Sequence, residues 1–200
     1  PNPSRILSNY AWRNSVTASL LCQLKLGLYN QFIYLMMHSK LNKKIISEKF
    51  DESFSFEVPE IHLSQITEST NEDAKQELSL LKKDFSIHLS EQQIAGKGRN
   101  GKPWVSPKEK NIYLSIAWNS KINHSALQGL SLAIGTGVAN SLNSFSNFPI
   151  EIKWPNDLMA KKRKLSGILI ETQDLGGNVG VVIGVGAVSY THLTLPTIDR

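Results

Sequence analysis

The 200-residue sequence has few of the groups that cross-link chains or bind metals. It contains one cysteine, Cys22, so no internal disulfide can form and no cysteine cluster is available for a structural zinc site. Such sparse use of cysteine fits a protein of the reducing cytoplasm. The five histidines are scattered singly along the sequence, which argues against a histidine metal site.

Long apolar stretches and a strong charge imbalance are missing as well. Residues 19–37 contain an apolar run, but four polar residues interrupt it (Gln23, Lys25, Asn30 and Gln31), so we expect neither a membrane span nor a secretory signal. This run shows no helix-turn-helix pattern, and a net charge of +5 is too modest to argue for nucleic acid as a partner. The hydrophobic content of 40% and the length predict a globular protein of one domain, or one domain plus a fragment.

The densest chemistry lies in residues 91–106, where three glycines alternate with three cations: Gly96, Lys97, Gly98, Arg99, Gly101 and Lys102. Such a loop exposes backbone N–H groups and places positive charge where an anion can bind. The glycine spacing matches the dinucleotide fingerprint, but that fingerprint needs a helix to begin at the loop. Pro103 and Pro107 would break such a helix, so we reject this interpretation. We expect a flexible loop that closes over an anionic ligand; the alternative is a surface hairpin with solubilising charges.

The pattern of apolar residues predicts a mixed α+β sheet with helices on one face. Predicted strands cover residues 61–67, 86–93, 111–118, 150–154, 165–172 and 179–185, and the last two form a hairpin across residues 174–178. Predicted helices run from the segment 69–72 to about residue 82 and from 125 to about 142. Capping boxes, Ser69 with Glu72 and Thr70 with Asp73, are expected to start the first helix. Residues 38–60 are polar and are expected to form a short lead-in.

Two further segments carry residues that suit ligand binding. The N–H groups at the start of the first helix, at Ser69, Thr70 and Asn71, can bind carboxylate or amide oxygens, although the same residues could serve only as a cap. Trp104, directly after the glycine loop, could stack on a purine or cover a closed loop. Gln92 and Gln93 are predicted to lie on a strand with opposite orientations, where a glutamine could also be merely solvated.

The segment 153–167 offers a second cationic centre. Lys153 with Asn156 and Asp157 would suit a nucleotide–metal site, or could simply end a strand. Lys164 closes a basic turn and is followed by a strand in which Gly167 permits the close approach of a ligand. Without a ligand, this basic turn would only be solvated.

Taken together, these motifs resemble the catalytic domain of biotin protein ligases. The matching segments lie in order between about His62 and Gly186: Glu68-Ser-Thr-Asn71, Gln92-Gln-Ile-Ala-Gly-Lys-Gly-Arg99, Asn111-Ile-Tyr-Leu-Ser, Lys153-Trp-Pro-Asn-Asp-Leu158, Arg163-Lys-Leu-Ser-Gly-Ile-Leu169 and Val182-Ile-Gly-Val-Gly186. Each motif is weak alone, but their common order and spacing are specific. The resemblance implies the biotin/lipoate ligase fold, which is related to class II aminoacyl-tRNA synthetases and would be incomplete in this chain at the C-terminus.

The resemblance also implies an activity and its partners. Biotin and ATP would be the substrates, with Mg²⁺, and biotinyl-5'-AMP would be the intermediate. A lysine of the biotin carboxyl carrier domain of a carboxylase would then receive the biotin. A cytoplasmic enzyme is expected, without DNA binding and without a membrane, and a homodimer stays open.

Roles carry over residue by residue from the resemblance. Arg99 and Lys164 are the expected catalytic residues, which neutralise phosphate charge and bridge the biotin carboxylate to the α-phosphate. The expected biotin contacts are Ser69, Thr70, Asn71, Gln92, Gly96, Lys97, Gly98, Arg99, Lys164 and Gly167. The expected ATP or adenylate contacts are Trp104, Lys153, Asn156, Asp157 and Gly186. No metal ligand is assigned, because the family completes its magnesium site with residues that follow Gly186.

Some features depart from the family pattern. Asn100 and Lys97 stand where many relatives have arginine, and the family continues after Gly186 with segments that this sequence does not contain. We expect residues 1–36 to be a non-native upstream extension, with Met37 as the start, residues 37–60 to be the lead-in and residues 61–187 to be the partial catalytic domain. Residues 188–200 resemble the translation of a sequencing-library adapter and are expected to be an artefactual tail.

Two other functions stay open on the sequence. A lipoate ligase shares the fold and the adenylate chemistry, but its paired arginines and triple glycine are not found. A non-catalytic fragment that binds an acceptor protein or nucleic acid would not depend on Arg99 or Lys164.

Overall fold

The computed structural model describes residues 41–53, 59–81, 85–108, 111–120, 127–143 and 146–188, and for residues 49–53 it describes the backbone only. The predicted extension, residues 1–36, lies outside this range, as does the predicted tail except for Val188. The described residues form three α-helices and seven strands: α1 (Lys43–Ser53), β1 (Glu60–Ser64), α2 (Thr70–Glu77), β2 (Phe85–Ser90), β3 (Asn111–Ser120), α3 (Leu130–Asn143), β4 (Ile150–Lys153), β5 (Asp157–Ala160), β6 (Arg163–Asp174) and β7 (Val179–Val188). No described helix is both long and apolar enough to cross a membrane.

All seven strands belong to one sheet, in the order β1-β2-β3-β7-β6-β5-β4. Only the pair β1–β2 is parallel; every other neighbouring pair is antiparallel. Parallel neighbours need a crossover connection, and α2 provides it between β1 and β2. The strands β4 to β7 follow one another as a meander, with the predicted hairpin closing β6 onto β7.

The two faces of the sheet differ in chemistry because side chains alternate along each strand. On the first, which we call the apolar face, Ile116 of β3 and Ile183 of β7 join a large core that includes Ile134 of α3 and Ile46 of α1. The opposite face, which we call the polar face, carries Tyr113, Ser115 and Ala117 of β3 and Val182, Gly184 and Gly186 of β7.

Helix α2 packs on the polar face, where Ala74 and Leu78 meet Ala117 and Val182 in a separate small cluster. The mixed α+β sheet predicted from the sequence is confirmed. The placement of every helix on one face is wrong, because α2 lies opposite to α1 and α3. Two covered faces leave the sheet buried along most of β3 and β7.

Helix α1 was not predicted; its segment was expected to be a polar lead-in. Asn42 caps it, since the Asn42 Oδ1 accepts hydrogen bonds from the backbone N–H groups of Lys44 and Ile45 at 3.0 and 3.3 Å. Ile46 is 3% exposed and belongs to the main core. One buried isoleucine in a charged segment anchors the helix without producing a strong periodic pattern.

The other elements differ from prediction mainly at their ends. The strand predicted for residues 86–93 is β2, which ends at Ser90. The helix predicted to begin at residue 125 is α3, which begins at Leu130; residues 121–126 lie outside the described range. The helix predicted to end at about residue 82 is α2, which ends at Glu77; residue 82 itself lies outside the described range. The four-residue strand β5 was missed because its apolar residues are too few to show alternation.

Candidate functional site

A cavity of about 420 Å³ opens on the polar face. Its walls are the start of α2, the glycine loop, and parts of β3, β5, β6 and β7. It brings together most of the residues predicted from the sequence: Ser69, Thr70, Asn71, Lys97, Gly98, Arg99, Trp104, Asn156, Asp157, Lys164, Gly167 and Gly186. Three predicted residues do not line it: Gln92, Gly96 and Lys153. This volume lies within the range of about 300–1,000 Å³ that is usual for pockets that bind small organic ligands.

Gln93, and not Gln92, lines this cavity. Its side-chain oxygen accepts hydrogen bonds from the backbone N–H and the hydroxyl of Thr70, at 2.9 and 3.0 Å. Its side-chain nitrogen donates to Ser106 Oγ at 2.9 Å. The backbone carbonyl of Gln92 instead accepts from Thr67 N–H at 3.1 Å. Gln93 therefore joins the helix start to the segment that follows the glycine loop.

The predicted capping box is wrong in its contacts. Ser69 is the N-cap of α2 and has extended backbone geometry, but its side chain makes no capping hydrogen bond. Gln93 takes over by accepting from the Thr70 N–H, and Thr67 Oγ1 donates to Asp73 Oδ1 at 3.0 Å. Because a distant glutamine caps the helix, the Ser69 hydroxyl is left at the cavity wall, where the residue is only 3% exposed.

The glycine loop is a short hairpin closed by backbone hydrogen bonds. Gly98 N–H donates to the Lys102 carbonyl at 2.7 Å, and Trp104 N–H donates to the Gly96 carbonyl at 2.9 Å. Its tip, Arg99–Gly101, is a single 3-10 turn with Asn100 in the left-handed region at φ 57°. So short a turn agrees with the rejection of a dinucleotide fold, which needs a helix at this point. Gly96 lies at the base of the hairpin, where a Cβ would come within 2.8 Å of the Trp104 carbonyl oxygen.

The Trp104 indole lies flat against two glycines that are paired across β6 and β7. A Cβ on Gly186 would come within 2.6 Å of the indole, and one on Gly167 within 3.0 Å. Any larger residue at either position would push the indole out of the cavity. The buried indole Nε1 has no hydrogen-bond partner within the described residues. Because this nitrogen is buried, a ligand in the cavity would contact the indole ring and not its N–H.

Positive charge dominates the cavity lining. Among the described residues, four cations line it (Lys97, Arg99, Lys102 and Lys164), against one carboxylate, Asp157. Lys164 Nζ lies 2.8 Å from Asp157 Oδ1 and 5.0 Å from the centre of the Trp104 ring. Arg99 Nη1 donates to Asn156 Oδ1 at 3.2 Å, and Asn156 Nδ2 donates to the Ile168 carbonyl at 2.9 Å. The cations from the loop and from β6 thus reach the same space beside the 156–157 turn, which favours an anionic ligand.

A chain of polar contacts joins the floor of the cavity to the glycine loop. Asn71 Nδ2 donates to Glu171 at 2.7 Å, and Glu171 is paired with Lys75 at 2.6 Å. Glu72 accepts from Lys75 at 3.3 Å and from Lys97 of the loop at 3.2 Å. The loop is therefore tied to α2 through charge, and α2 is tied in turn to β6.

The same contacts shift two titrations. Burial raises the pKa of Glu72, but the hydrogen bonds from Lys97 and Lys75 outweigh it and hold that pKa below 4.5. Burial lowers the pKa of Lys75, but Glu171 and then Glu72 outweigh it and raise that pKa above 10.5. Both groups are therefore charged at neutral pH, as the ion-pair chain requires.

Serine and glycine let α2 approach the sheet closely. Ser115 Oγ lies 2.6 Å from Asn71 Oδ1 and 2.8 Å from Thr70 Oγ1, so its hydroxyl can donate to either. Across from it on β7, Gly184 leaves the space that the Asn71 side chain fills. Both residues lie on the polar face opposite the predicted helix start, yet neither was among the predicted site residues.

Comparison with known proteins identifies the family. The sequence model of the biotin/lipoate A/B protein ligase family matches residues 63–187. The chain belongs to this family. The bifunctional ligase/repressor BirA of Escherichia coli is 39% identical over 122 residues, covering 60% of this chain and 38% of BirA. The biotin–[acetyl-CoA-carboxylase] ligase of Mycobacterium tuberculosis is 36% identical over 107 residues, covering 52% of this chain and 39% of that ligase.

Solved structures of this ligase family agree with the fold. The biotin protein ligase of Aquifex aeolicus in complex with biotin and ATP superposes with a TM-score of 0.53 and 25% identity, over 64% of this chain and 51% of that one. The present chain spans about two fifths of the length of the curated relatives named above. The seven-stranded sheet and its cavity lie almost entirely within the matched segment.

Proposed function

We propose that the protein is an ATP-dependent biotin protein ligase, which forms biotinyl-5'-AMP and transfers biotin to a lysine of a carboxylase's biotin carboxyl carrier domain. The observation that carries this proposal is the convergence of Arg99 and Lys164 beside the start of α2 in one cavity. Relatives named as biotin ligases and the complex with biotin and ATP support the same choice of ligands. The use of a single cysteine favours the reducing cytoplasm as its place of action.

The chemistry asks the protein mainly for positioning and charge. In the first step a carboxylate oxygen of biotin attacks the α-phosphorus of ATP, and the bond to the bridging oxygen breaks, so pyrophosphate leaves. In the second step the uncharged amine of the acceptor lysine attacks the acyl carbon, AMP leaves, and the amine loses a proton. Both nucleophiles belong to substrates, so rate enhancement comes from alignment and from cations placed where negative charge develops.

Two cations take the central roles. Lys164, held 2.8 Å from Asp157, would lie between the biotin carboxylate and the α-phosphate and would stabilise the charge that builds on the phosphorus oxygens. Arg99, on the hairpin tip, would neutralise phosphate charge through the two-pronged contact that a guanidinium allows. The tie to Asn156 fixes the direction in which Arg99 enters the cavity.

The remaining wall divides between the two substrates. Ser69, Thr70 and Gln93 would form the polar wall for biotin, with Asn71 behind them, and Gly167 would leave room for the Trp104 indole. Trp104 would pack beside the adenine as the hairpin closes. The biotin role expected for Gln92 thereby passes to Gln93, because the side chain of Gln93 lines the cavity.

Magnesium fits this site as a companion of the nucleotide. Mg²⁺ is usually held by one or two carboxylates together with substrate phosphates and water. Asp157 is the one carboxylate among the described residues that line the cavity, and Asn156 adjoins it. These residues could hold Mg²⁺ only jointly with ATP, where the ion would neutralise the phosphates.

A two-lysine comparison tests the proposal. The measurement is biotinyl-adenylate formation from biotin and ATP in the full-length enzyme. We expect Lys164→Ala to lower the rate at least about a hundredfold, as expected for loss of a transition-state cation. Lys44→Ala, an exposed lysine of α1 outside the cavity wall, is the matched control and should change it less than about twofold.

Arg99→Ala tests retention of the intermediate as well as its synthesis. We expect this variant to release free adenylate into solution, detected as biotinyl-5'-AMP outside the protein fraction. Equal rates for wild type, Lys164→Ala and Arg99→Ala would refute the mechanism. The family description also covers lipoate ligases, so lipoate replaces biotin in a parallel assay; faster adenylate formation with lipoate would assign the chain to that activity instead.

A further inference from the structure

A second cluster of chemically active side chains lies apart from the cavity. His62 Nε2 is 3.1 Å from Glu77 Oε1, and His88 Nε2 is 3.0 Å from Glu77 Oε2. The ligand atoms of His62, Glu77 and His88 all lie within 4.8 Å of one another. The two imidazole rings are stacked with centroids 4.7 Å apart. One carboxylate thus faces two imidazole nitrogens at once.

The fold creates this cluster from residues that are far apart in the sequence. In the parallel register of β1 and β2, His62 pairs with His88, and Glu60 pairs with Ser86. Because side chains alternate, all four lie on the polar face. Glu77 is the last residue of α2, which crosses above this face. The scattered histidines that argued against a histidine metal site in the sequence are therefore brought together by strand pairing.

The donor atoms suit a first-row divalent metal ion. A neutral imidazole nitrogen and a carboxylate oxygen are ligands that Zn²⁺ prefers, at about 2.0–2.2 Å each. Two nitrogens bound tetrahedrally at such lengths lie roughly 3.3 Å apart. The two ring centroids are 4.7 Å apart, so one ring must tilt toward the other to bind the same ion. The His62 side chain is 37% exposed and therefore has room to do so.

We propose that His62, Glu77 and His88 form a structural binding site for a divalent metal ion of the zinc type. Two nitrogens and one carboxylate give three ligands, and water or the Glu60 carboxylate, 3.8 Å from His62 Nε2, supplies the fourth. Ser86 Oγ lies 3.0 Å from His88 Nε2, and a bound ion would replace this hydrogen bond. N and O donors in this number select Zn²⁺ over Mg²⁺ and Ca²⁺, which prefer oxygen alone.

The position of the cluster indicates what the ion does. Glu77 ends the same helix whose first residues, 69–71, line the cavity, and it lies about 9 Å further along the axis at 1.5 Å per residue. An ion there would tie the end of α2 to β1 and β2 without touching the ligands of the cavity. It would thus hold the helix that carries Ser69, Thr70 and Asn71 in place.

Thermal unfolding with added Zn²⁺ tests the site directly. The full chain is stripped with a chelator, dialysed, and heated with and without Zn²⁺, and native mass spectrometry counts the bound ions. At a hundredfold excess over Kd we expect one ion per chain and a rise in Tm of roughly 5–10 °C. Co²⁺ in place of Zn²⁺ should give the visible absorption of a four-coordinate ion.

Single substitutions decide between this site and other ligands of the chain. His62→Asn, at a half-exposed position, should fold and should weaken Zn²⁺ binding about tenfold or more; Glu77→Gln should do the same. His124→Asn, outside the described residues, is the control for histidine number and should leave binding unchanged.

Two results would overturn the proposal. The first is a wild-type Tm that Zn²⁺ does not raise, which means that both imidazoles carry Nε2 protons and merely donate them to Glu77. The second is an equal response of wild type and His62→Asn, which places the ion elsewhere. Should Glu77→Gln fail to fold, the His62→Asn comparison decides alone.

Discussion

The two faces of the sheet solve opposite problems with the same strands. Along β7, the side chain of Ile183 packs in the main core. The next residue, Gly184, lies on the opposite face, where its lack of a side chain leaves space for Asn71 of α2. The apolar face is filled with branched side chains that α1 and α3 cover. The polar face uses serine and glycine, so that a helix and an indole can approach the backbone. The main core lies on one face and the candidate ligand cavity on the other.

The largest loss of stability should come from creating a cavity in the core on the apolar face. Ile183 is 1% exposed at the centre of β7, so Ile183→Ala leaves a cavity among branched neighbours. We expect the free energy of unfolding, measured by urea titration, to fall by about 3 kcal/mol. Biotin affinity of the folded fraction should not change, because the Ile183 side chain packs in the main core, on the opposite face from the cavity. A loss of affinity per folded molecule would show that the two faces are not independent.

Adding one methyl group on the polar face should reduce stability less than Ile183→Ala does, but it should weaken biotin binding more. In Gly184→Ala the new Cβ would lie 2.9 Å from Asn71 Cγ, and Asn71 is held by both Ser115 and Glu171. We expect a cost of about 2 kcal/mol, as for other insertions into tight packing, together with at least tenfold weaker biotin binding. Calorimetry of biotin binding and urea unfolding measure the two effects.

Gly176→Ala is the matched control for that substitution. Gly176 has φ +72° in the exposed β6–β7 turn, and a Cβ there would meet nothing within 4 Å. The substitution therefore adds only left-handed backbone strain, about 1 kcal/mol, and should leave biotin affinity unchanged. Equal losses of affinity in the two variants would mean that close approach at Gly184 is not what matters.

Local patterns in the sequence identified most of the site, because its residues are carried by short segments with distinctive composition. The glycine loop, the helix start at residues 69–71 and the segment 156–167 could each be found without knowing the fold. Their meeting in one cavity follows from sheet order, with β7 inserted between β3 and β6. Family resemblance, and not periodicity, anticipated that meeting.

The errors share one physical cause, which is long-range contact. The orientation of Gln93 depends on where β2 stops, and pairing of Gln93 with Thr67 sets it. The cap of α2 comes from the same Gln93, so a local capping box gave the wrong partner. The face on which α2 packs is decided by small residues, Ala117 and Val182, that local hydrophobicity does not distinguish from core. None of these contacts can be read from a window of neighbouring residues.

The smallest effect should come from the exposed ion pair that ties the glycine loop to α2. Glu72→Gln removes the carboxylate that Lys97 and Lys75 contact, and half-exposed pairs of this kind contribute little in water. We expect a loss of less than about 0.5 kcal/mol, which 1 M NaCl abolishes.

The stability difference between wild type and Glu72→Gln should depend on pH. Because the folded pKa of Glu72 lies below 4.5, the carboxylate stabilises the fold above that value and loses this contribution as the pH falls below it. Wild type and Glu72→Gln should therefore differ in urea midpoint at pH 7 and converge toward pH 3. Lys102→Ala, on the same loop, is the control and should show no such convergence. A Glu72→Gln difference that persists in high salt and at pH 3 would mean that the loop is held to α2 by packing and not by charge, and the polar face would then resemble the apolar one.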